Sequence, residues 1–260
     1  MNSPIKWIGG KRNLANTIIS IIPEHKIYAE PFAGAGWIFF KKEKAKVEIL
    51  NDVNGELINF YKIVKTYPDE FCNAYELLPK SKELFDDFVQ IDLSKASELD
   101  RAVRFYYLLM LNFGGRFNRF TFTPRNDGIK QLNFDKLPTT IQNAHARLKD
   151  AYIEKTDYKN IIKKWDGNDT LFFLDPPYLT TTESDYEENF SINDFQALKE
   201  ILMSVKGKFI LTTDDETILR ELFNDFYINE ADVFYSISKE QKRNHKELII
   251  TNYNIKGDVK

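Results

Sequence analysis

Cysteine is almost absent from this sequence, because Cys72 is the single one among 260 residues. A lone thiol cannot form an intramolecular disulfide, which excludes a disulfide-stabilised secreted fold and suits a reducing cytoplasm. The three histidines, His25, His145 and His245, are far apart, and no Cys/His spacing is typical of a zinc site. We therefore expect a cytoplasmic protein that uses no metal.

Long apolar runs and an excess of positive charge are also missing. There is no apolar run of about 18 residues and no N-terminal signal peptide, so we expect no membrane association. The formal net charge is -3, whereas proteins that bind duplex nucleic acid are often basic overall. However, residues 101–130 hold six Lys/Arg and one acid, Asp127. The positive charge is local, and this segment is a candidate for nucleic-acid contact.

Strand and helix patterns alternate at both ends of the chain and give way to helices between them. Short apolar runs such as Leu171–Leu174 predict buried strands, each followed by a turn and a helix. From 55 to 149 the spacing is mostly helical, apart from an Arg/Phe/Thr-rich segment at 116–133 that is typical of an exposed hairpin or an ordered loop. The expected fold is an α/β, Rossmann-like sheet with an antiparallel edge strand, formed by residues 1–54 and 150–260. In such sheets ligands bind beyond the carboxyl ends of the strands.

A glycine turn follows the first predicted strand. In Glu30-Pro-Phe-Ala-Gly-Ala-Gly36, the glycines Gly34 and Gly36 let the backbone turn tightly and approach a ligand closely. Asp52 follows the second strand, where an acid can accept hydrogen bonds from both ribose hydroxyls. An ordinary turn with a helix-capping acid is the alternative. Because the third glycine of a dinucleotide site is absent, the pattern favours a ligand without pyrophosphate, with S-adenosylmethionine as the foremost example.

The tetrad Asp175-Pro176-Pro177-Tyr178 comes directly after a buried apolar strand. Its prolines stiffen the backbone and leave carbonyl oxygens pointing outward. If the Asp175 carboxylate and the Pro176 carbonyl each accept one hydrogen of an exocyclic amino group, its lone pair turns toward an electrophile while Tyr178 stacks on the ring. Such catalysis works by positioning and electrostatics, with no metal or covalent intermediate. The tetrad therefore predicts methylation of a planar amino nitrogen, with a rigid loop and a helix-capping acid as the alternative.

With these motifs in place, the sequence resembles the Dam-type DNA adenine-N6 methyltransferases along nearly its whole length. Lys6-Trp-Ile-Gly-Gly-Lys11 is similar to that family's N-terminal cofactor motif, and residues 30–36 are similar to its cofactor loop. The resemblance implies a methyltransferase sheet split by a target-recognition insertion at 55–149. It also implies S-adenosylmethionine as donor, S-adenosylhomocysteine as product, and an adenine flipped from duplex DNA as acceptor. The further residues to which it gives roles are Trp7, Lys11, Phe32 and Asp175 at the cofactor, Asp157 and Tyr158 at the cofactor's adenine, and Tyr178 and Tyr186 at the target base.

Residues 112–118, Asn-Phe-Gly-Gly-Arg-Phe-Asn, are similar to the arginine-bearing hairpin with which this family contacts DNA. Phe122-Thr-Pro-Arg125 is similar to the part that follows, but it lacks the family's Phe-Gly after the proline, which leaves the GATC target open. A charged loop predicted at 239–246, between the last two strands, is either a phosphate contact or a solvated hairpin. The residues expected to bind DNA, through bases or phosphates, are Arg116, Asn118, Arg119 and Arg125.

The sequence thus predicts a site-specific, adenine-specific DNA methyltransferase that acts on double-stranded DNA. We expect a monomer or weak dimer, with a restriction endonuclease encoded nearby as a further partner. An RNA or protein-amide methyltransferase is the closest alternative, because the tetrad serves any planar amino group. The motifs disfavour an inactive DNA-binding relative, and the missing third glycine disfavours a nicotinamide-dependent dehydrogenase. A cytosine-C5 enzyme needs a nucleophilic thiolate, and Cys72 lies in a helical stretch far from any glycine or proline turn.

Overall fold

The computed structural model of the chain covers most of the sequence. No helix in this described part is both long and apolar enough to cross a lipid bilayer. The described residues are 1–7, 11–112, 134–179, 190–238 and 241–255, with the backbone alone at 134, 233–238 and 241–245.

Seven strands of the described residues form a single sheet, namely β1 (Ile27–Glu30), β2 (Val47–Asn51), β3 (Tyr152–Glu154), β4 (Thr170–Leu174), β5 (Lys208–Asp214), β6 (Tyr227–Ser238) and β7 (Gln241–Thr251). Their order across the sheet is β3-β2-β1-β4-β5-β7-β6. Strands β1 to β5 run parallel, whereas β7 runs antiparallel to both β5 and β6. The predicted α/β sheet with an antiparallel edge is therefore confirmed.

The central strand β4 is apolar because helices cover both faces of the sheet. All five of its residues are buried, which is the pattern of a parallel strand between two layers. Successive side chains of a strand point to opposite faces. Accordingly, Leu171 and Phe173 belong to one buried cluster, and Phe172 and Leu174 belong to the other.

The helices begin where side-chain caps and prolines predict. The side chains of Asn54, Ser97 and Ser191 each accept a hydrogen bond from a first-turn N–H, which fixes the start of three helices. The helices are α1 (Ala15–Ser20), α2 (Trp37–Lys41), α3 (Gly55–Thr66), α4 (Pro68–Glu76), α5 (Lys82–Gln90), α6 (Glu98–Leu111), α7 (Leu137–Leu148), α8 (Tyr158–Trp165), α9 (Ile192–Leu202) and α10 (Thr217–Leu222).

The helical insertion packs directly on the sheet. Phe60 of α3 stacks on Tyr106 of α6 with a centroid distance of 5.5 Å. Both rings belong to the same buried cluster as Tyr28 of β1, so one core runs from the sheet into the insertion. The division into a catalytic part at 1–54 and 150–260 and a target-recognition part at 55–149 remains a prediction about function.

Two features differ from the sequence-based expectation. The loop predicted for 239–246 is wrong, because β7 begins at Gln241 and pairs with β6 in register, with Asp232 opposite Lys246. The backbone hydrogen bonds of this ladder override a charge pattern that is typical of a loop. Strand β3 is not predicted, because its three residues lie at the sheet edge and none is fully buried.

Candidate active site

The carboxyl ends of β1 and β4 lie side by side in the middle of the sheet. Strand β1 has β2 on one side and β4 on the other. The chain leads away from β1 through β2 in one direction and away from β4 through β5 in the other, so the strand order reverses between β1 and β4. A crevice forms at such a reversal, and it is where open α/β sheets bind ligands. The structure places both the glycine turn after Glu30 and the tetrad after Leu174 at this point.

Asp175 is held at the end of β4 by contacts from two other parts of the chain. Its Oδ1 atom lies 2.6 Å from the Lys11 Nζ atom and accepts a hydrogen bond of 2.9 Å from the Thr212 hydroxyl of β5. Both of these polar contacts, which come from described residues, are made by the Oδ1 atom. The orientation of the group is therefore set by one oxygen, and Oδ2 is available as an acceptor for a ligand.

Lys11 connects the N-terminal motif to the tetrad. The lysine is buried, and its Nζ atom lies 4.5 Å from the centroid of the Tyr178 ring. Burial raises the pKa of the Asp175 carboxyl, although the Lys11 ammonium opposes the shift and the Glu247 carboxylate reinforces it. The structure thus brings together the three residues Lys11, Asp175 and Tyr178, which the sequence predicts for one site.

The glycine turn has a conformation that requires glycine. Gly34 and Gly36 have φ angles of 46° and 62°, in the left-handed region that residues with a Cβ atom rarely adopt. A Cβ atom added at Gly34 would lie 3.1 Å from Cδ1 of Trp7, so the indole covers the turn at close contact. The Tyr61 hydroxyl of α3 donates a hydrogen bond of 2.7 Å to the Gly34 carbonyl. The turn is therefore rigid and lies under Trp7.

Asp52 binds the backbone of this turn. Its Oδ2 atom accepts a hydrogen bond of 2.9 Å from the Gly34 N–H, and its Oδ1 atom accepts one of 2.9 Å from the Asn54 N–H. A carboxylate oxygen can accept more than one hydrogen bond. Asp52 is therefore a support of the turn as well as the candidate ribose ligand.

Glu30, the first residue of the turn, is buried and supports it from below. Its Oε1 atom accepts hydrogen bonds of 2.7 Å from the Tyr28 hydroxyl and 2.7 Å from the Phe39 N–H, which ties β1 to α2. Burial raises the pKa of Glu30 to about 8, because those two hydrogen bonds offset only part of the desolvation. The sequence does not predict this supporting role.

An aromatic cluster borders the same edge of the sheet. The Phe32 ring lies 5.0 Å from Tyr158 and 5.6 Å from Phe190, measured between centroids. Asp157, which precedes Tyr158 in the sequence, caps α8 by accepting a hydrogen bond of 2.8 Å from the Lys159 N–H. Burial raises the pKa of Tyr158 to about 12. The Tyr158 hydroxyl is buried and has no hydrogen-bond partner among the residues that the structure describes.

The part of the chain that the structure describes contains no group of three or more His, Cys, Asp or Glu residues placed to hold a metal ion.

Several predicted site residues have no described position. The predicted residues that lie outside the described ranges are Arg116, Asn118, Arg119 and Arg125 for DNA and Tyr186 for the target base.

Three residues at the site are not predicted from the sequence, namely Thr212, Phe190 and Glu247. Thr212 follows an ordinary apolar run, whereas Phe190 is a single ring in a polar segment, and neither carries a distinguishing signal. Glu247 directly precedes the apolar run Leu248–Ile250 within β7, and a charge next to such a buried run is a signal that could have identified it.

Comparison with known proteins identifies the family. Residues 7–237 match the sequence profile of the D12 class N6 adenine-specific DNA methyltransferases. The Type II methyltransferase M1.LlaDCHI of Lactococcus lactis subsp. cremoris is 30% identical over 273 residues, which cover 95% of this chain and 94% of that protein. The DNA adenine methylase of Escherichia coli strain K12 is 27% identical over 249 residues, which cover 90% of this chain and 88% of that protein.

Among solved structures, the precorrin 8W decarboxylase of Methanobacterium thermoautotrophicum aligns with a TM-score of 0.46 and 9% identity, over 98% of this chain and 96% of that chain. This likeness is too distant to carry functional meaning. The match to the adenine methyltransferases, in contrast, spans most of the chain and includes the glycine turn and the tetrad. The chain therefore belongs to the D12 class of N6 adenine-specific DNA methyltransferases.

Proposed function

We propose that this protein is a site-specific enzyme that transfers a methyl group from S-adenosylmethionine directly to N6 of an adenine flipped out of duplex DNA. Family membership makes adenine in DNA the acceptor. The observation that carries the mechanism is the geometry of Asp175, which is fixed through Oδ1 and has Oδ2 available. By likeness to the Type II methyltransferase, a restriction endonuclease encoded nearby is a proposed partner of a monomeric or weakly dimeric enzyme.

The catalytic task is to make an unreactive nitrogen nucleophilic. The N6 lone pair of adenine is delocalised into the ring. When the Asp175 carboxylate and the Pro176 carbonyl each accept one N6 hydrogen, the nitrogen becomes more tetrahedral and its lone pair turns toward the donor. When bound, S-adenosylmethionine supplies an electrophilic methyl group, whose bond to sulfur breaks to leave S-adenosylhomocysteine. The surplus N6 proton is released to water. The Asp175 carboxylate stabilises the positive charge that develops on N6, and Tyr178 holds the flipped base by stacking.

The residues around the glycine turn suit S-adenosylmethionine. Gly34 and Gly36 allow close approach to the backbone, and the Asp52 carboxylate beside them is a group that can accept hydrogen bonds from ribose hydroxyls. The aromatic faces of Phe32 and Tyr158 suit the adenine ring of the cofactor, and the buried Tyr158 hydroxyl would gain a polar partner there. The residues assigned to the methionine end, next to the target base, are Trp7, Lys11 and Asp175.

A labelled donor tests the proposal against its alternatives. The purified protein is incubated with S-adenosylmethionine carrying a deuterated methyl group and with duplex DNA, RNA or a glutamine-containing peptide. Mass spectrometry of the digested products should detect labelled N6-methyladenine from DNA alone. Label in RNA or peptide alone would replace the proposal with the corresponding alternative, and no label anywhere would identify an inactive DNA-binding relative. Long-read sequencing of the methylated DNA then gives the recognition site.

Asp52→Ala is expected to raise the Kd for S-adenosylhomocysteine at least about tenfold, because a hydrogen bond to a charged group contributes about 1.5–3 kcal/mol. Isothermal titration calorimetry measures this change. Tyr61→Phe is the matched control, since it removes another hydrogen bond to Gly34 without removing a ribose acceptor, and we expect less than about a threefold change. An unchanged Kd for Asp52→Ala would remove the ribose assignment.

Arg116→Ala and Arg125→Ala are expected to weaken DNA binding or relax its sequence preference. Loss of a bidentate contact to guanine costs about 1–3 kcal/mol at one base position, whereas loss of a phosphate contact weakens all sequences equally and lowers the salt dependence. Fluorescence anisotropy at several salt concentrations distinguishes the two. Arg220→Ala is the control, because Asp215 and Glu230 neutralise that arginine. If both variants bind and discriminate like the wild type, recognition lies elsewhere.

A further inference from the structure

A buried glutamate outside the known motifs lies next to the proposed catalytic carboxylate. Glu247 is 1% exposed and pairs in register with Asp214 of β5 and Ala231 of β6. Because β7 runs antiparallel to β5, Glu247 in the middle of β7 lies opposite Asp214, the last residue of β5, at the edge where the parallel strands end. The sheet topology therefore brings Glu247 to the edge that carries Asp175, although the two residues are far apart in the sequence.

One buried ammonium group lies between two carboxylates. The Lys11 Nζ atom is 2.6 Å from Asp175 Oδ1 and 3.7 Å from Glu247 Oε2. The side chains of Lys11 and Glu247 are each 2% exposed, so water screens their interaction weakly.

We propose that Glu247 is a positioning residue for methyl transfer, which holds the Lys11 ammonium between two carboxylates and adds a negative charge beside Asp175. The inference rests on the proposed function, in which positive charge develops on N6 next to Asp175. The negative charge of Glu247 favours that development, and the Lys11 contact keeps Asp175 in its orientation. Glu247 acts through Lys11 and Asp175 and is assigned no contact with the base.

The charged groups around Asp175 make the inference testable through pH. Lys11 faces it from the N-terminal segment, Glu247 from β7 and Glu30 from β1. Burial raises the pKa of Asp175 and Glu247 reinforces the rise, while Lys11 opposes it. Glu247→Gln removes the reinforcing charge, so the pKa of Asp175 should fall. The ionised Asp175 carboxylate is the stronger acceptor and carries the charge that stabilises N6. The acid limb of the rate profile, which is the fall in rate at low pH, should therefore move to lower pH.

The experiment is a single-turnover rate of methyl transfer to duplex DNA from pH 5 to 9, for the wild type and Glu247→Gln. We expect the acid limb to shift down by about one pH unit and the plateau rate to fall about tenfold. Glu230→Gln is the matched control: this neighbouring β6 carboxylate is exposed and paired with Arg220 and Lys246, and its loss should leave the limb in place. Glu30 is present in all three proteins, so its titration affects their three rate profiles equally.

A Glu247→Gln profile with an unshifted limb would overturn the inference, even if the rate fell, because a purely structural role lowers the rate without moving the limb. If the glutamine variant does not fold, Glu247→Asp carries the test, since it keeps the charge. For Glu247→Asp we expect an unshifted limb and a rate within about threefold of the wild type. A tenfold or larger loss with an unshifted limb would assign a packing role instead. Failure of the wild type to methylate DNA would refute the proposed function, whereas these outcomes concern Glu247 alone.

Discussion

Asp175→Ala is expected to lower the single-turnover rate of methyl transfer by about 10²- to 10³-fold, the effect of removing one preorganised polar group from a transition-state site. The variant loses the acceptor that orients the N6 lone pair and the charge that stabilises the product nitrogen. Binding of S-adenosylhomocysteine should persist within about threefold, because Lys11 keeps the Glu247 carboxylate at 3.7 Å and is not left as an isolated buried charge. Rapid-quench kinetics and calorimetry measure the two quantities separately.

Two further variants are compared with Asp175→Ala. Asp175→Asn keeps the shape and one oxygen acceptor but loses the charge, so we expect an intermediate rate. Asp169→Ala removes a carboxylate from the opposite end of the same strand, where it forms an exposed ion pair of 2.8 Å with Lys26. Exposed pairs contribute little to stability, so this variant should react within about twofold of the wild type. A wild-type rate for Asp175→Ala would refute the catalytic assignment.

Glu30→Gln is expected to remove a loss of stability that the wild-type protein undergoes as the pH rises from about 5 to 8. The pKa of Glu30 rises from 4.5 to about 8 on folding. Between these values the unfolded chain is ionised while the fold retains the proton, so the free energy of unfolding falls with rising pH and levels off above pH 8. At about 1.4 kcal/mol for each pH unit, the upper bound is about 5 kcal/mol. Glutamine keeps an oxygen for Tyr28 and Phe39 but cannot ionise.

Glu48→Gln is the matched control for this experiment, because Glu48 is a buried glutamate on the adjacent strand β2. Burial would raise its pKa, but hydrogen bonds from Arg147 and Lys42 outweigh burial and lower it. The stabilisation by Glu48 is therefore fully present above pH 4.5 and is lost on acidification. Urea unfolding from pH 5 to 9 measures the free energy of unfolding of each protein. The difference between Glu30→Gln and the wild type should change with pH. The free energy of unfolding of Glu48→Gln should lie below that of the wild type by a constant amount above pH 6. Parallel profiles for the wild type and Glu30→Gln would show that Glu30 is ionised in the fold.

The sheet could be predicted largely from the sequence, because its strands leave local signatures. The apolar run Leu171–Leu174 indicates a strand buried on both faces, and the glycines at 34 and 36 indicate a turn at its neighbour. The segment 239–246 shows where such reasoning fails. Its charges predict a loop, but pairing with β6 extends β7 back to Gln241, and a pairing partner in another strand leaves no mark in the local pattern.

By itself, the sequence determined the features that contiguous residues encode: the stiff tetrad from Asp175 to Tyr178, the glycine turn, and the acid Asp52 after β2. Only the tertiary structure decided how these features are charged and supported. Thr212 reaches Asp175, and Glu247 reaches Lys11 beside it, because β5 ends at this edge of the sheet and the antiparallel β7 passes it. The physical reason is that the pKa and orientation of a buried carboxylate depend on the groups packed around it, and their proximity arises from strand order rather than from spacing along the chain.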